Sequence, residues 1–170
     1  MVKNILIVLF AALILFILWS IGLEKIYGYF IYYLVYLPVK LIPDTTISIL
    51  TNSSHPNYVV TSFINNKEYT WSLSGELFLL PIVLLLSWQI FLFLLIPKNK
   101  ALRIARNNIL VLVIAQSIYL LLLALYWKSS VARIVHDMLN NNLIVITVFL
   151  IIKDTISNRL YEKMIKPKSQ

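Results

Sequence analysis

The residues best suited to chemistry in this chain of 170 residues stand close together: Arg133, His136, Asp137 and Asn140. On a helix these four, with Asn141, share one broad face, while Val131, Ile134, Val135, Met138 and Leu139 take the other. Arg133 and Asp137 are four apart, a spacing that allows an ion pair. A histidine held by a carboxylate can carry a proton, and an arginine offers a seat for an anion or a carboxylate. Two readings stand. In one, the polar face is a functional site, because ionisable groups inside a membrane are costly and tend to be retained for a purpose. In the other it is an amphipathic turn whose charges rest among lipid headgroups.

Other catalytic templates are missing. The second histidine, His55, lies in a turn cluster. The chain has no cysteine, which removes disulfides, thiol nucleophiles and thiolate metal sites together. A zinc site would need both histidines and a carboxylate from distant segments. Ser129 or Ser130 with His136 and Asp137 supplies the residue types of a triad without its spacing, and neighbouring His and Asp side chains diverge on a helix. Three glycines, at 22, 28 and 75, build no phosphate-binding loop. No catalytic residue, metal or cofactor is therefore expected.

Four long apolar runs must position these groups: Ile5–Ile21, Leu77–Ile96, Ile109–Trp127 and, with a polar first half, Val131–Ile152. A bilayer core takes about 20 apolar residues per helical crossing. With 60% hydrophobic residues and a mean hydropathy of +0.84, the composition is that of a membrane protein. The expected class is membrane α-helical, one integral domain with four transmembrane helices at 5–23, 77–96, 108–127 and 131–152. The first run reads as an uncleaved anchor. It is long, Ser20-Ile21-Gly22 is a poor cleavage site, and the chain stays apolar and aromatic afterwards.

Charge sets the orientation. Lys3, Lys98, Lys100, Arg103, Arg106, Lys153, Arg159, Lys163, Lys166 and Lys168 fall on one side; Lys25, Lys40, Lys67, Lys128 and Arg133 fall on the other. Basic residues favour the cytoplasmic side of short loops. Both termini are thus expected in the cytoplasm of a cell with an inner (plasma) membrane. The loop 24–74 and the Lys128 turn then lie outside, and 153–170 forms a cytoplasmic tail. The net charge of +8 meets anionic lipid there, and no nucleic-acid partner is expected, since the basic residues are not interleaved with stacking aromatics.

The outside segment reads in two parts. Residues 26–42 carry Tyr27, Tyr29, Tyr32, Tyr33 and Tyr36, with Ile26, Phe30, Leu34 and Leu37 near helical spacing. Tyrosine prefers the membrane–water boundary. This predicts an interfacial helix, ended or kinked at Pro38, that serves either as an aromatic belt or as a platform for a partner or lipid. Residues 45–73 predict an antiparallel meander: strands near 45–51, 58–64 and 68–73, with turns at Asn52–Asn57 and Asn65–Lys67. A meander this small is marginal alone, so it should rest on the membrane, the tyrosine helix or another protein. Its edge can accept an extended peptide. Tyr29, Tyr32, Tyr33, Tyr36, Tyr58 and Trp71 form the candidate interaction surface.

The second crossing should be capped by Ser72 or Ser74, with Glu76 placed where the helix dipole favours an acid. Pro81 falls in its first turn or just beyond, and Pro97 closes it. Gln116 in the third crossing should bond across to another helix.

This layout resembles that of the small accessory membrane proteins found with bacterial exosortases of the H type. The shared features are an anchor ending near Trp19, the aromatic segment Tyr27–Tyr36, a strand-rich outside loop, the re-entry Gly75-Glu76-Leu77-Phe78-Leu79-Leu80-Pro81 and three close crossings. The chain is no exosortase itself, since that transpeptidase needs a cysteine. The resemblance implies a non-catalytic accessory or scaffold protein of a bacterial envelope protein-sorting or export system. Its expected partners are membrane lipids, another integral membrane protein, and peptide or protein cargo at the outside loop. Two alternatives remain: a transporter or proton-pathway subunit using the polar face of the fourth helix, and an intramembrane hydrolase or transferase with His136 as base.

Overall fold

The computed structural model describes residues 2–50, 55–140, 142–158 and 160, with the side chains of residues 6, 9, 10, 12–50, 55–75, 78–139, 142–158 and 160. Thr51, the turn residues Asn52, Ser53 and Ser54, and tail positions 159 and 161–170 lie outside the described residues. So do Asn141 and the side chains of Glu76 and Asn140. Among the described residues the order is α1 (Val2–Leu18), a π-helical turn (Trp19–Leu23), α2 (Glu24–Lys40), β1 (Thr45–Leu50), β2 (Asn57–Ile64), β3 (Lys67–Ser74), α3 (Gly75–Leu95), α4 (Lys98–Ala124), α5 (Ser130–Asn140) and α6 (Leu143–Ser157). Three helices are long and apolar enough to cross a membrane, or four if α5 and α6, bent by 56°, make one span.

The helix boundaries differ from those expected in four places. The first run does not stop at 23: Ala12–Lys40 is one apolar stretch of 29 residues, broken at Gly22, whose φ of 148° suits glycine and few other residues. The tyrosine segment beyond it, α2, does not lie free. Its stripe Glu24, Gly28, Ile31, Val35 and Val39 is buried, and it packs on α4 and β1. Pro38 sits inside its last turn rather than ending it, with Leu41 N–H reaching Pro38 O at 3.2 Å. The basic connector 98–106 is the start of α4; Lys, Ala, Leu and Arg are good helix formers, and charge alone does not make a loop. The fourth run breaks around 140–142 into α5 and α6, because three consecutive asparagines favour turns over helix.

The sheet follows the alternation of its sequence. β1 and β3 flank β2, both antiparallel to it. The register aligns Thr45 with Ser62 and Tyr69, Ile47 with Val60 and Trp71, and Ile49 with Tyr58 and Leu73. These three rows are the face turned to the helices: Thr45, Ile47, Tyr58, Val60 and Ser62 are buried and Trp71 half-buried. Asn65 and Asn66 both have positive φ, 50° and 62°, as the two-residue turn of a tight hairpin demands.

Pro56 locks this sheet to two helices. Gly75 N–H donates to Pro56 O at 2.8 Å. A Cβ on Gly75 would stand 2.2 Å from that oxygen, and one on Gly28 would stand 3.0 Å from the Pro56 ring. Tyr58 Oη donates to Gly28 O at 2.9 Å, and Tyr58 itself is fully buried. Burial, with smaller contributions from Tyr27 and Glu24, pushes its hydroxyl above the usual tyrosine range, which suits a group kept as a donor.

The helices are joined by polar bonds. Pro81 lies in the second turn of α3, where it has no N–H to give the carbonyl four residues earlier. Phe78 O, three residues before it, accepts Gln116 Nε2 at 2.7 Å, and Tyr27 Oη donates to Gln116 Oε1 at 2.5 Å. One glutamine thus ties α2, α3 and α4 together.

Gly75→Ala is expected to cost about 3 kcal/mol by forcing backbone apart at Pro56. A Cβ on Gly28 would press on the Pro56 ring at 3.0 Å, which a gain of about 1 kcal/mol in helix propensity offsets only in part, so Gly28→Ala should cost about 1 kcal/mol. Unfolding midpoints in neutral detergent check the pair; a silent Gly75→Ala would contradict the clamp.

Candidate functional site

His136 lies at the sheet end of the bundle and is 1% exposed. Its ring stacks on Tyr119 at 4.6 Å between centroids and meets Tyr126 and Trp71 edge-on at 5.2 and 6.0 Å. Each wall comes from a different place: Tyr119 from α4, Tyr126 from the turn after it, and Trp71 from β3. Trp71 also lies 4.9 Å from the Tyr126 ring, and Tyr69 lies 5.0 Å from the Trp127 ring. The sheet therefore seats on the α4–α5 turn through aromatic contacts.

The polar face expected on the fourth helix is divided. Ala132 and His136 point inward, while Arg133 and Asp137 are exposed. Arg133 and Asp137 form no ion pair. The Arg133 guanidinium lies over the Tyr126 and Trp127 rings, 5.3 and 5.6 Å from their centroids, where a cation meets the negative face of the π system. The expectation that His136 and Asp137 diverge is corrected: Nδ1 of His136 is 3.2 Å from Oδ1 of Asp137. Asp137 achieves this while half its side chain stays exposed. His136 Nε2 and Trp127 Nε1 are buried without a hydrogen-bond partner. The backbone of Asn140 ends α5.

The candidate interaction surface separates too. Tyr33 is 66% exposed, and Tyr29 and Tyr36 are exposed. Tyr32 is half-buried, its hydroxyl donating to Ile47 O at 3.4 Å. Trp71 is a half-buried wall of the His136 cluster. Tyr58 is core and presents nothing to a partner. Ser74 takes the N-cap position of α3, but its side chain makes no capping bond.

Two polar centres escape the sequence reading. Glu24, 3% exposed at the start of α2, accepts His55 Nδ1 on Oε2 at 2.8 Å, across 31 positions, while its Oε1 has no partner. The signal available was a lone acid just after an apolar anchor, with a histidine beside a proline in the following loop. The second lies at the opposite end of the bundle. Asp154 of α6, 2% exposed, accepts Asn108 Nδ2 at 2.6 Å and Trp88 Nε1 at 3.2 Å on Oδ2. Lys153 Nζ stands 3.6 Å from Oδ1 and donates to Asn108 Oδ1 at 3.0 Å. Its signal was an acid in an otherwise apolar helix.

Among the described residues no group of three or more His, Asp or Glu side chains is placed to hold a metal. Nothing matches the chain among protein-family models, curated proteins or solved structures.

The aromatic contacts carry a test. Trp71→Ala removes rings that touch His136, Tyr126 and Trp127 and is expected to cost about 3 kcal/mol. Tyr33→Ala, on the exposed side of α2, should stay within about 0.5 kcal/mol of the parent. Denaturant unfolding in mixed micelles measures both; a silent Trp71→Ala would remove the cluster's structural role.

Proposed function

We propose that the chain is a non-catalytic accessory or scaffold subunit, embedded in the inner membrane, that holds a rigid sheet at the outer face for a partner. The observation that carries this reading is the clamp on the sheet. Pro56, Tyr58 and Trp71 fix it to α2, α3 and the α4–α5 turn, so a strand is presented on a built platform. The edge of β3 bears exposed Lys67, Glu68, Thr70 and Ser72, and an unpaired edge can add a partner's extended segment through backbone hydrogen bonds.

Membrane embedding is supported by an exterior that is apolar as well as the interior, with polar side chains turned inward. Glu24, Gln89, Asn108, Gln116, His136 and Asp154 are buried, while Leu9, Phe10, Leu13, Ile26, Phe149 and Ile156 are each more than half exposed. Such a surface needs an apolar solvent. The distribution of basic residues supports four crossings with both termini in the cytoplasm. The layout supports a place beside an envelope protein-sorting or export enzyme. The tyrosine face of α2 then meets lipid or the partner.

The test places a photo-reactive amino acid at Thr70 or Ser72, with Ile118, an exposed residue of α4, as the control. A single adduct with another membrane protein from β3, absent from Ile118 and matched by stoichiometric co-purification, is the expected result. Recovery of the protein alone from every position would overturn the scaffold reading.

A second reading is favoured by one observation: Asp137 stands on Nδ1 of His136, the kind of carboxylate partner that orients a histidine for proton transfer. His136→Phe keeps an aromatic ring in the cage and should preserve both stability and the complex of a scaffold. Loss of all function in a folded His136→Phe protein would favour the proton pathway.

A further inference from the structure

We propose that the pocket between the start of α4 and the end of α6 binds the phosphate headgroup of one anionic phospholipid. The pocket is lined by Lys100, Asn107, Asn108, Lys153, Asp154, Ser157 and Asn158, with Ile104 as an apolar wall. It lies at the end of the bundle opposite the sheet; α3, which joins the two ends, spans about 30 Å at 1.5 Å per residue. The inference rests on the membrane reading above.

The polar groups sort into those already engaged and those turned outward. Asn108 and Asp154 are buried and bonded to each other, and Asp154 also accepts Trp88 Nε1. Asn158 Nδ2 donates to Asp154 O at 2.8 Å, which closes the floor. Lys153 is held over that floor by Asn108 Oδ1 and Asp154 Oδ1. An ammonium has three donors, and one is given to Asn108, so donors remain for a guest. Lys100, Asn107 and Ser157 are exposed and carry their donors at the rim.

Charge selects the guest. Lys100 and Lys153 against Asp154 leave one net positive charge in the pocket, which matches the single negative charge of a phosphodiester. Arg103 and Arg106, exposed on the same stretch of α4, add to the attraction without lining the pocket. The apolar surface selects a lipid over a free anion. Leu110 and Ile114 of α4 and Ile152 and Ile156 of α6 are exposed, so acyl chains find apolar side chains on the two helices that hold the headgroup. A basic pocket between membrane helices is a recognised seat for lipid phosphates.

The experiment uses the full chain in neutral detergent, after phase partitioning and carbonate extraction have tested membrane embedding separately. Phosphatidylglycerol, phosphatidylcholine or inorganic phosphate is added, and bound lipid is counted by native mass spectrometry beside the unfolding midpoint. One phosphatidylglycerol per chain is expected, with a rise in midpoint that the other two additives do not give. Lys100→Gln and Lys153→Gln should each weaken retention by about fivefold; Lys67→Gln, on the sheet, should not. Lys153 also holds the floor, so Lys100→Gln, at the exposed rim, tests the pocket even if Lys153→Gln fails to fold. Equal protection by inorganic phosphate would overturn the lipid as the source. Unchanged phosphatidylglycerol retention in Lys100→Gln would overturn the pocket. A protein that partitions into water would fail the membrane reading first.

Discussion

The sheet end of this molecule depends on how closely Pro56 approaches two helices. Its carbonyl caps the first N–H of α3 while its ring packs between Gly28 and Gly75. That arrangement substitutes for the side-chain cap expected of Ser74. A backbone oxygen from the preceding hairpin serves the helix end, so the N-terminus of α3 and the start of β2 cannot move apart independently. Once Pro56 is seated, Tyr58 comes over Gly28 and the register carries Val60 and Trp71 inward. The three-stranded sheet, too small to be stable by itself, acquires its core from the helices.

In the proposed membrane setting, helices gain little from apolar burial against one another, because lipid tails are as apolar as leucine. What fixes their arrangement is packing and a few polar bonds. Two such centres, at different depths, account for the bundle. Gln116 joins α2, α3 and α4 toward the sheet, and Asp154 with Asn108 and Trp88 joins α3, α4 and α6 toward the basic end. Both lie on the inward stripe of α4, where Asn108, Leu112, Gln116 and Tyr119 follow one another at spacings of three or four. A hydrogen bond at each level specifies rotation and register in a way that Leu packing alone does not.

These bonds also mark the limit of what the sequence discloses. Alternation in 45–73 reads directly as strands, since a strand's faces are set by period two. Gln116 reads as a cross-link, since an amide in an apolar helix needs a partner. The partners themselves are not readable: Gln116 bonds Tyr27 across 89 positions, Asn108 bonds Asp154 across 46, and His55 reaches Glu24 across 31. The fourth run misleads for a related reason. Helical spacing groups Arg133, His136, Asp137 and Asn140 by polarity, whereas the structure groups His136 with Ala132 as the inward, buried residues of α5. The wheel shows which residues are polar; only the neighbours show which polarity is turned in.

That inversion explains the bend between α5 and α6. A straight helix through 130–157 would carry a polar upper half along the bundle wall, which in the proposed membrane setting would put its charges in hydrocarbon. Breaking at the asparagines lets α5 turn aside by 56°, so that His136 plugs into the aromatic cage while Val131, Ile134 and Met138 face outward. Arg133 keeps its charge over the Tyr126 and Trp127 rings, where an aromatic face lowers the cost of leaving water. The same rings receive Trp71 from the sheet. The bend, the cage and the seating of β3 are thus one packing problem, and a change in any of them reaches the exposed strand edge through the others.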